Sequence, residues 1–434
     1  MKKFLNNFFQ LDSNKTNIKT EIIAGITTFL TMAYIIFANP SIMAESGMDK
    51  DAIFVGTCIA AAIACFVMGF FANWPIGLAP GMGLNVFFTY TVVGKMEYSW
   101  EVALGAVFIA GILFFVMSVT NLRSWMISSI PMNLRIAMGA GVGLFIGIVG
   151  LEAGGIILFN VEDAKYPLLG NFSKPDTLLA ALGFLIIAAL SIRKIPGAII
   201  IGILIITLIA IFADLIQFKG LISTPPDIKP TFMKLDILGA LDLGMLTVIM
   251  SFLFVNLFDT TGTLVGVATR ANLLDENGEA KTLDKALKAD SGASIFGTFF
   301  GCSPVTSYVE SSAGVEAGGR TGLTAVVVGL LFILAMFLSP LASIIPAYAT
   351  AGALIYVAIL MLGGMEKLNW SHVTELLPAL VILIMIPLTF SIADGIALGF
   401  LSYVVLKITN GEIKSITSAA WFLTIIFISK FIFL

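Results

Sequence analysis

Gly301–Gly322 reads GCSPVTSYVESSAGVEAGGRTG and lies inside a strongly apolar run, yet it carries two carboxylates, Glu310 and Glu316. It is not an ordinary membrane helix. Pro304 opens it, the small residues Ser303, Thr306, Ser307, Ser311, Ser312, Ala313 and Gly314 fill it, and Gly318, Gly319 and Gly322 surround Arg320 at its far end. At bilayer depth a broken helix bearing hydroxyls and a carboxylate is tolerated only where it is buried in protein or lines a cavity. The stretch therefore reads as half of a substrate site, with the rest of the chain as a moving scaffold around it.

The surrounding composition sets the class. Of 434 residues, 58% are hydrophobic and 12% charged, with a mean hydropathy of +1.01. Soluble domains run nearer about 45–50% apolar and about 25% charged. This is the composition of an all-α polytopic membrane protein, multi-pass in the cell membrane. A net charge of −3 carries no nucleic-acid signal. Cys58, Cys65 and Cys302 lie in or beside apolar segments without paired spacing, so neither a disulfide framework nor a metal site is expected. No motif calls for a cofactor. The single histidine, His372, falls in a polar connection, which nearly excludes histidine-based catalysis. The opening MKKFLNNFFQLDSNKTNIKTE has no small-residue cleavage site after its short apolar patch, so no cleavable signal peptide is expected.

Apolar windows long enough, or nearly so, to cross about 30 Å of hydrocarbon fall at 21–43, 52–72, 76–93, 100–120, 133–151, 177–192 and 196–216. A second set falls at 242–268, 291–300, 303–319, 321–343, 347–364, 374–390 and 393–408. The halves are similar: 130–151 matches 345–365, 177–210 matches 375–408, and ANWPIGLAPGMGLN falls opposite FGCSPVTSYVESSAG, so that Pro75 meets Pro304. An odd number of spans per repeat makes the copies inverted: 1–217 is the first repeat, 236–414 the second, and 415–434 an extra apolar segment that either spans or lies at the interface. Interrupted segments at corresponding places in inverted halves point to a transporter binding site. With the N-terminus inside, sixteen lysines and arginines lie on the inner side and seven outside, which supports a cytoplasmic N-terminus. The polar segment 269–290 then reads as a cytoplasmic loop with a short helix.

SFLFVNLFDTTGTLVGVATR (251–270) places Asn256 and Asp259 in an apolar helix, three residues apart and so on one face. An ionised aspartate in a membrane finds a partner, takes a proton or faces a wet cavity. Asp259 and Glu310 are therefore candidates for groups whose protonation changes during a cycle; a purely structural alternative makes Asp259 a half-helix cap. Glu316, four residues before Arg320, suits an ion pair as well as a functional role. GLAPGMGLN (77–85) breaks its span into an extended piece and a half-helix, acting through the backbone at positions such as Gly83, while Asn85 offers an amide that both donates and accepts.

At these residues the chain resembles the nucleobase:cation symporter-2 family, and within it the branch of hypoxanthine, guanine and adenine permeases. The resemblance covers nearly the whole chain and rests on TTFLTMAYIIFANPSIM, GLAPGMGLNVFFTYTVV, LFDTTGTLVGVA and SPVTSYVESSAGVEAGGRTGLTAVVVGLLF. It implies that Asp259 and Glu310 are the acids at the substrate and that Asn85 is the asparagine of the third-span motif. One departure is visible: the branch commonly has an aspartate where this chain has Asn256, which leaves Asp259 the only acid of that motif. The resemblance further implies fourteen spans divided into a core domain (about 21–120 and 242–343) and a gate domain (about 131–216 and 347–408). Short extended pieces, Ile76–Pro80 and Val305–Tyr308, would pair beside the site.

The expected activity is proton-coupled uptake of a purine such as hypoxanthine, guanine or adenine. Glu310 accepts hydrogen bonds from the ring while Asp259 and Asn85 address the opposite edge. Gly83, Thr260, Thr306, Ser307 and Ser311 complete the surroundings, and Phe258, Phe87 or Tyr308 stacks on the ring. Partners are the purine, the proton and the bilayer; the pattern is compatible with a homodimer. An anion transporter of similar architecture is the alternative, disfavoured by two acids at the site. An intramembrane hydrolase is disfavoured because no Gly-x-Gly-Asp element, Ser/His pair or HExxH motif is present.

Overall fold

The computed structural model describes residues 2–120, 130–159, 166–218, 220–242, 244–271, 273 and 282–433. Among them nine helical segments are long and apolar enough to cross a membrane, and Ala198–Phe212 and Val373–Thr389 are shorter apolar helices. The chain is thus a multi-pass membrane protein.

The first apolar window is two helices, Ile18–Met32 and Ile35–Ala44, rather than one. Between them Ala33 and Tyr34 form a tightened turn, in which Ile36 N bonds Ala33 O (3.1 Å) and Phe37 N bonds Tyr34 O (3.1 Å). The break puts Tyr34 at the middle of the bundle. Lys50–Val67, capped by Asp49, continues through a wide turn to Ala72 and stops at Asn73, whose φ of 56° ends the helix. The glycine-rich third window forms a strand, Leu78–Pro80, then a half-helix, Met82–Val86, which widens into a π-helix at Phe87–Lys95.

The second half repeats this break. Strand Val305–Ser307 is followed by the half-helix Ser311–Glu316. The two strands pair antiparallel with Leu78 opposite Ser307, Ala79 opposite Thr306 and Pro80 opposite Val305. Pairing satisfies backbone groups that no water reaches, and Gly81 N to Pro304 O (2.9 Å) and Tyr308 N to Gly77 O (3.0 Å) extend it at both ends. A second small pair, Ile157–Leu158 with Leu168–Leu169, lies at the end of Met132–Ala153.

The helices pack in two groups. Ile18–Met32, Ile35–Ala44, Lys50–Val67, Trp100–Val119, Met245–Arg270, Leu283–Phe299 and Gly322–Ala335 surround the paired strands, whereas Met132–Ala153, Pro175–Ile192, Ala198–Phe212, Ala347–Leu362, Val373–Thr389 and Ile392–Thr409 pack on one another. Glycines on Met132–Ala153 permit close approach: a Cβ at Gly143 would lie 2.7 Å from Met361 Cβ, and one at Gly150 2.8 Å from Leu354 Cβ. The last apolar segment is a helix, Ser418–Phe433, packed on Ile392–Thr409 through Phe427 and Phe400.

Two expectations change. The ninth span begins at Leu283 rather than 291, so 283–290 is helix and not loop; residues 274–281 of that loop lie outside the described residues. The expected Glu316–Arg320 pair is not formed, because the helix ends at Glu316 and Gly318 (φ 104°) turns the chain before a second helical turn exists. Glu316 instead meets Arg270 at 3.4 Å. Arg320 Nη1 donates to Val315 O and Gly319 O, both at 2.7 Å.

Candidate functional site

Between the two groups lies a cavity of about 560 Å³, within the range of small-molecule sites. It is lined by Gly81, Gly83, Val142, Val255, Phe258, Asp259 and Val309 and by Met132, Arg135, Gly364 and Lys367; Val142 meets Gly83, and Arg135 lies seven residues earlier, in the first turn of the same helix. Among the described residues Asp259 is its only acid. Asp259 sits well inside the bundle, but its carboxylate is open to the cavity and has no hydrogen-bond partner among the described residues. Met245–Arg270 runs through it unbroken, so Asp259 caps no half-helix.

Asn256 does not share that setting. Both positions are on the same helix, but a step of three residues leaves them about 60° apart, enough to separate cavity from core. Asn256 is buried; its Nδ2 donates to Ser294 Oγ (2.9 Å) and its Oδ1 accepts from Thr260 Oγ1 (3.3 Å). Thr260 also donates to Asp290 Oδ1 at 2.9 Å. Asp290, fully buried, takes Ser307 N at 2.7 Å and Ser307 Oγ at 2.6 Å on its other oxygen, and Ser294 Oγ donates to Val305 O at 2.7 Å. One carboxylate thus ties three elements together: Leu283–Phe299, Met245–Arg270 and strand Val305–Ser307. The sequence reading assigned Asp290 to a loop. The signal was present in Asp290, Ser291, Ser294 and Thr298, a polar stripe at helical spacing followed by glycines and apolar residues.

Glu310 stands at the start of Ser311–Glu316, half-buried, next to Val309 but not itself on the cavity wall. Tyr34 Oη donates to its Oε1 at 2.9 Å, and Thr31 Oγ1 to its carbonyl at 3.3 Å. The helices of Asp259 and Glu310, Met245–Arg270 and Ser311–Glu316, pack on each other. A hydrogen bond to a charged group is worth about 1.5–3 kcal/mol. Tyr34→Phe is therefore expected to weaken substrate affinity by about tenfold or more, read as a rise in the half-saturating concentration of uptake; an unchanged value would show that Tyr34 does not hold Glu310 for function.

Of the other expected residues, Gly83 and Phe258 line the cavity. Gly83 touches Val142, and any Cβ there would collide with it. Asn85 is fully buried beside Ser303, whose hydroxyl donates to Asn85 Oδ1, while Asn85 Nδ2 has no partner among the described residues. Thr306 is buried in its strand, Ser307 and Thr260 are bound to Asp290, and Ser311 Oγ accepts from Gly77 N at 3.0 Å. These side chains brace the strand pair rather than the cavity wall. Phe87 is fully buried edge-on to Phe252, 5.0 Å between centroids, and Tyr308 donates to Pro80 O at 2.5 Å. Cys58, Cys65 and Cys302 are buried free thiols.

The Xan_ur_permease profile, described as a permease family, matches residues 19–398. The chain belongs to this family, the nucleobase:cation symporter-2 permeases. The permease is 46% identical over 430 residues to adenine permease AdeP of Escherichia coli (strain K12), covering 99% of this chain and 96% of that protein. It is 41% identical over 442 residues to guanine/hypoxanthine permease PbuG of Bacillus subtilis (strain 168), covering 99% and 100%. Its fold is shared with the transmembrane domain of a cyanobacterium bicarbonate transporter, BicA, at TM-score 0.61 and 15% identity over 93% of this chain and 97% of that one. The same holds for the murine anion transporter Slc26a9 in its inward-facing state, at TM-score 0.67 and 12% identity over 94% and 72%. At such identity only the fold is shared. The permease is a transporter, not an enzyme.

Proposed function

We propose that this permease carries purine nucleobases across the cell membrane, with protons, into the cell. Its main support is the pairing of Asp259, open to the cavity, with Glu310, held by Tyr34 just behind Val309. A neutral planar base with N–H donors on its edge matches carboxylate acceptors and an aromatic face such as Phe258, whereas an anion would be repelled by them. The relatives named for adenine, guanine and hypoxanthine point the same way. Asn85 Nδ2, buried without a partner, supplies a donor for a ring nitrogen if the core shifts toward the substrate.

Coupling follows from charge. Protonation of one acid lowers the charge that must move with the core, and bound base replaces hydration of the other, so that loaded and empty sites differ in their cost of crossing. The group around the strands acts as the core, and the group around Met132–Ala153 as the gate. In the positive-inside orientation the cavity opens inward, toward Arg135 and Lys367. The opposite end is closed between the groups: Thr91 Oγ1 donates to Phe390 O (2.5 Å), Lys95 Nζ donates to Thr389 O (2.9 Å), and Lys95 lies 3.6 Å from Asp394. These contacts must part when the outer side opens. Exposed ion pairs are worth about 0–1 kcal/mol, so Lys95→Met shifts the equilibrium outward by no more than about fivefold. The measurement is the labelling rate, by a membrane-impermeant thiol reagent, of a cysteine placed by Tyr90→Cys; a slower rate contradicts the latch.

The substrate class is tested by competition. Cells without their own nucleobase carriers are given radiolabelled adenine with unlabelled hypoxanthine, guanine, xanthine, uracil or bicarbonate in excess. Competition by purines alone is expected. Inhibition by bicarbonate, or no uptake of any base by protein that reaches the membrane, would favour the anion reading.

A further inference from the structure

The cavity mouth carries two cations that the transport of a neutral base does not use. Arg135 lies one turn into Met132–Ala153, and Lys367 ends the short turn Gly363–Lys367. Both line the cavity that Asp259 lines, from terminal turns of their helices. The two segments are tied by a reciprocal bond: Asn133 Nδ2 donates to Asn369 O (2.9 Å), and Asn369 N donates to Asn133 Oδ1 (2.8 Å), with Asn133 buried. Arg135 Nε is buried and has no hydrogen-bond partner, and neither Arg135 nor Lys367 joins an ion pair among the described residues. Other cations differ: Arg270 pairs with Glu316, Arg320 is bound to carbonyls, and Lys407 meets Glu375 and Glu412. Glu366, beside Lys367 in the chain, is not on the cavity wall.

A guanidinium with an unpartnered Nε and an exposed ammonium, both lining one cavity, supply a fork and a point charge suited to a phosphate group. We propose that the mouth is a phosphate subsite, and that a purine nucleoside 5′-monophosphate entering from the inner side binds with its base toward Asp259 and Phe258 and its phosphate on Arg135 and Lys367. Such a ligand spans the cavity from core to gate and holds it open, so it acts as an inhibitor from inside rather than as cargo. The base half of this inference rests on the purine reading; the phosphate half does not.

The test is calorimetric titration of purified protein in nanodiscs of neutral lipid with adenosine 5′-monophosphate, adenosine and ribose 5-phosphate, for wild type, Arg135→Gln and Lys367→Gln. The monophosphate is expected to bind at least tenfold more tightly than adenosine, and either substitution is expected to remove that preference. Lys367 is exposed, so its variant reports on binding even if Arg135→Gln fails to fold. Ribose 5-phosphate that binds in an Arg135- and Lys367-dependent way, with no binding of adenosine, would keep the phosphate subsite and remove the purine reading. Equal affinity for adenosine and its monophosphate, or a preference that survives in Lys367→Gln, overturns the proposal. Repetition with phosphatidylglycerol in the nanodisc separates the sources: Arg135 engaged by anionic lipid but not by monophosphate in neutral lipid also overturns it.

Discussion

Glu310→Gln is expected to lower purine uptake by about tenfold to somewhat more than 100-fold in protein that still reaches the membrane. The substitution keeps an oxygen for the Tyr34 hydroxyl, which donates to Glu310 Oε1 at 2.9 Å, so the half-helix should keep its place. What is lost is an ionisable group and a charged acceptor. Hydrogen bonds to a charged group contribute about 1.5–3 kcal/mol, and about 3 kcal/mol corresponds to somewhat more than 100-fold. Loss of the proton site removes coupling as well, so residual transport should no longer respond to a protonophore. Uptake within about threefold of wild type would show that Glu310 is structural.

Asp290→Ala has the largest expected effect on stability. The carboxylate is fully buried and receives Ser307 N, Ser307 Oγ and Thr260 Oγ1. Removing it strands two buried donors, Ser307 N and Ser307 Oγ, each costing about 1–3 kcal/mol, and leaves Thr260 Oγ1 only its 3.3 Å contact with Asn256 Oδ1. At the low end this amounts to about 2 kcal/mol, and the strand Val305–Ser307 loses the brace opposite its pairing with Leu78–Pro80. Asp290→Asn keeps one acceptor oxygen and should lose about half as much. The measurement is thermal denaturation in detergent, followed by loss of monodisperse protein. A melting profile for Asp290→Ala that overlays wild type would contradict this account of the strand pair.

The broken spans were legible because prolines and glycines leave few choices at bilayer depth. Pro75, Pro80, Gly81, Gly83 and Pro304 exclude a continuous helix, and the two interruptions meet as paired strands. Asp259 on a cavity wall follows from the cost of leaving a carboxylate in hydrocarbon. Asp290 was hidden by the same rule: it follows a lysine-rich segment, and nothing local says that Thr260 and Ser307, 30 and 17 residues away, will supply its partners. The division of labour among the small polar residues was equally unreadable. Thr260, Ser307 and Ser311 resemble substrate ligands by composition, but backbone groups and Asp290 claim them first. The Tyr34–Glu310 contact needed the break at Ala33–Tyr34, where the sequence Met32-Ala33-Tyr34-Ile35 carries neither proline nor glycine to mark it. Glu21, buried in the first turn of Ile18–Met32, accepts Arg320 N (2.9 Å) and Thr324 Oγ1 (2.7 Å) and so orders the helix after the site, across some 300 residues of chain.

The central claim is that this permease couples purine entry to protons through Asp259 and Glu310. The most direct test is purified protein in proteoliposomes, with the lumen held alkaline relative to the bath, and radiolabelled adenine or hypoxanthine added outside. Accumulation above the external concentration, reversed when the pH difference is collapsed and absent in Glu310→Gln, is the expected result. Equilibration at the same level with and without the gradient would contradict proton coupling, and bicarbonate transport in place of purine uptake would contradict the substrate class itself.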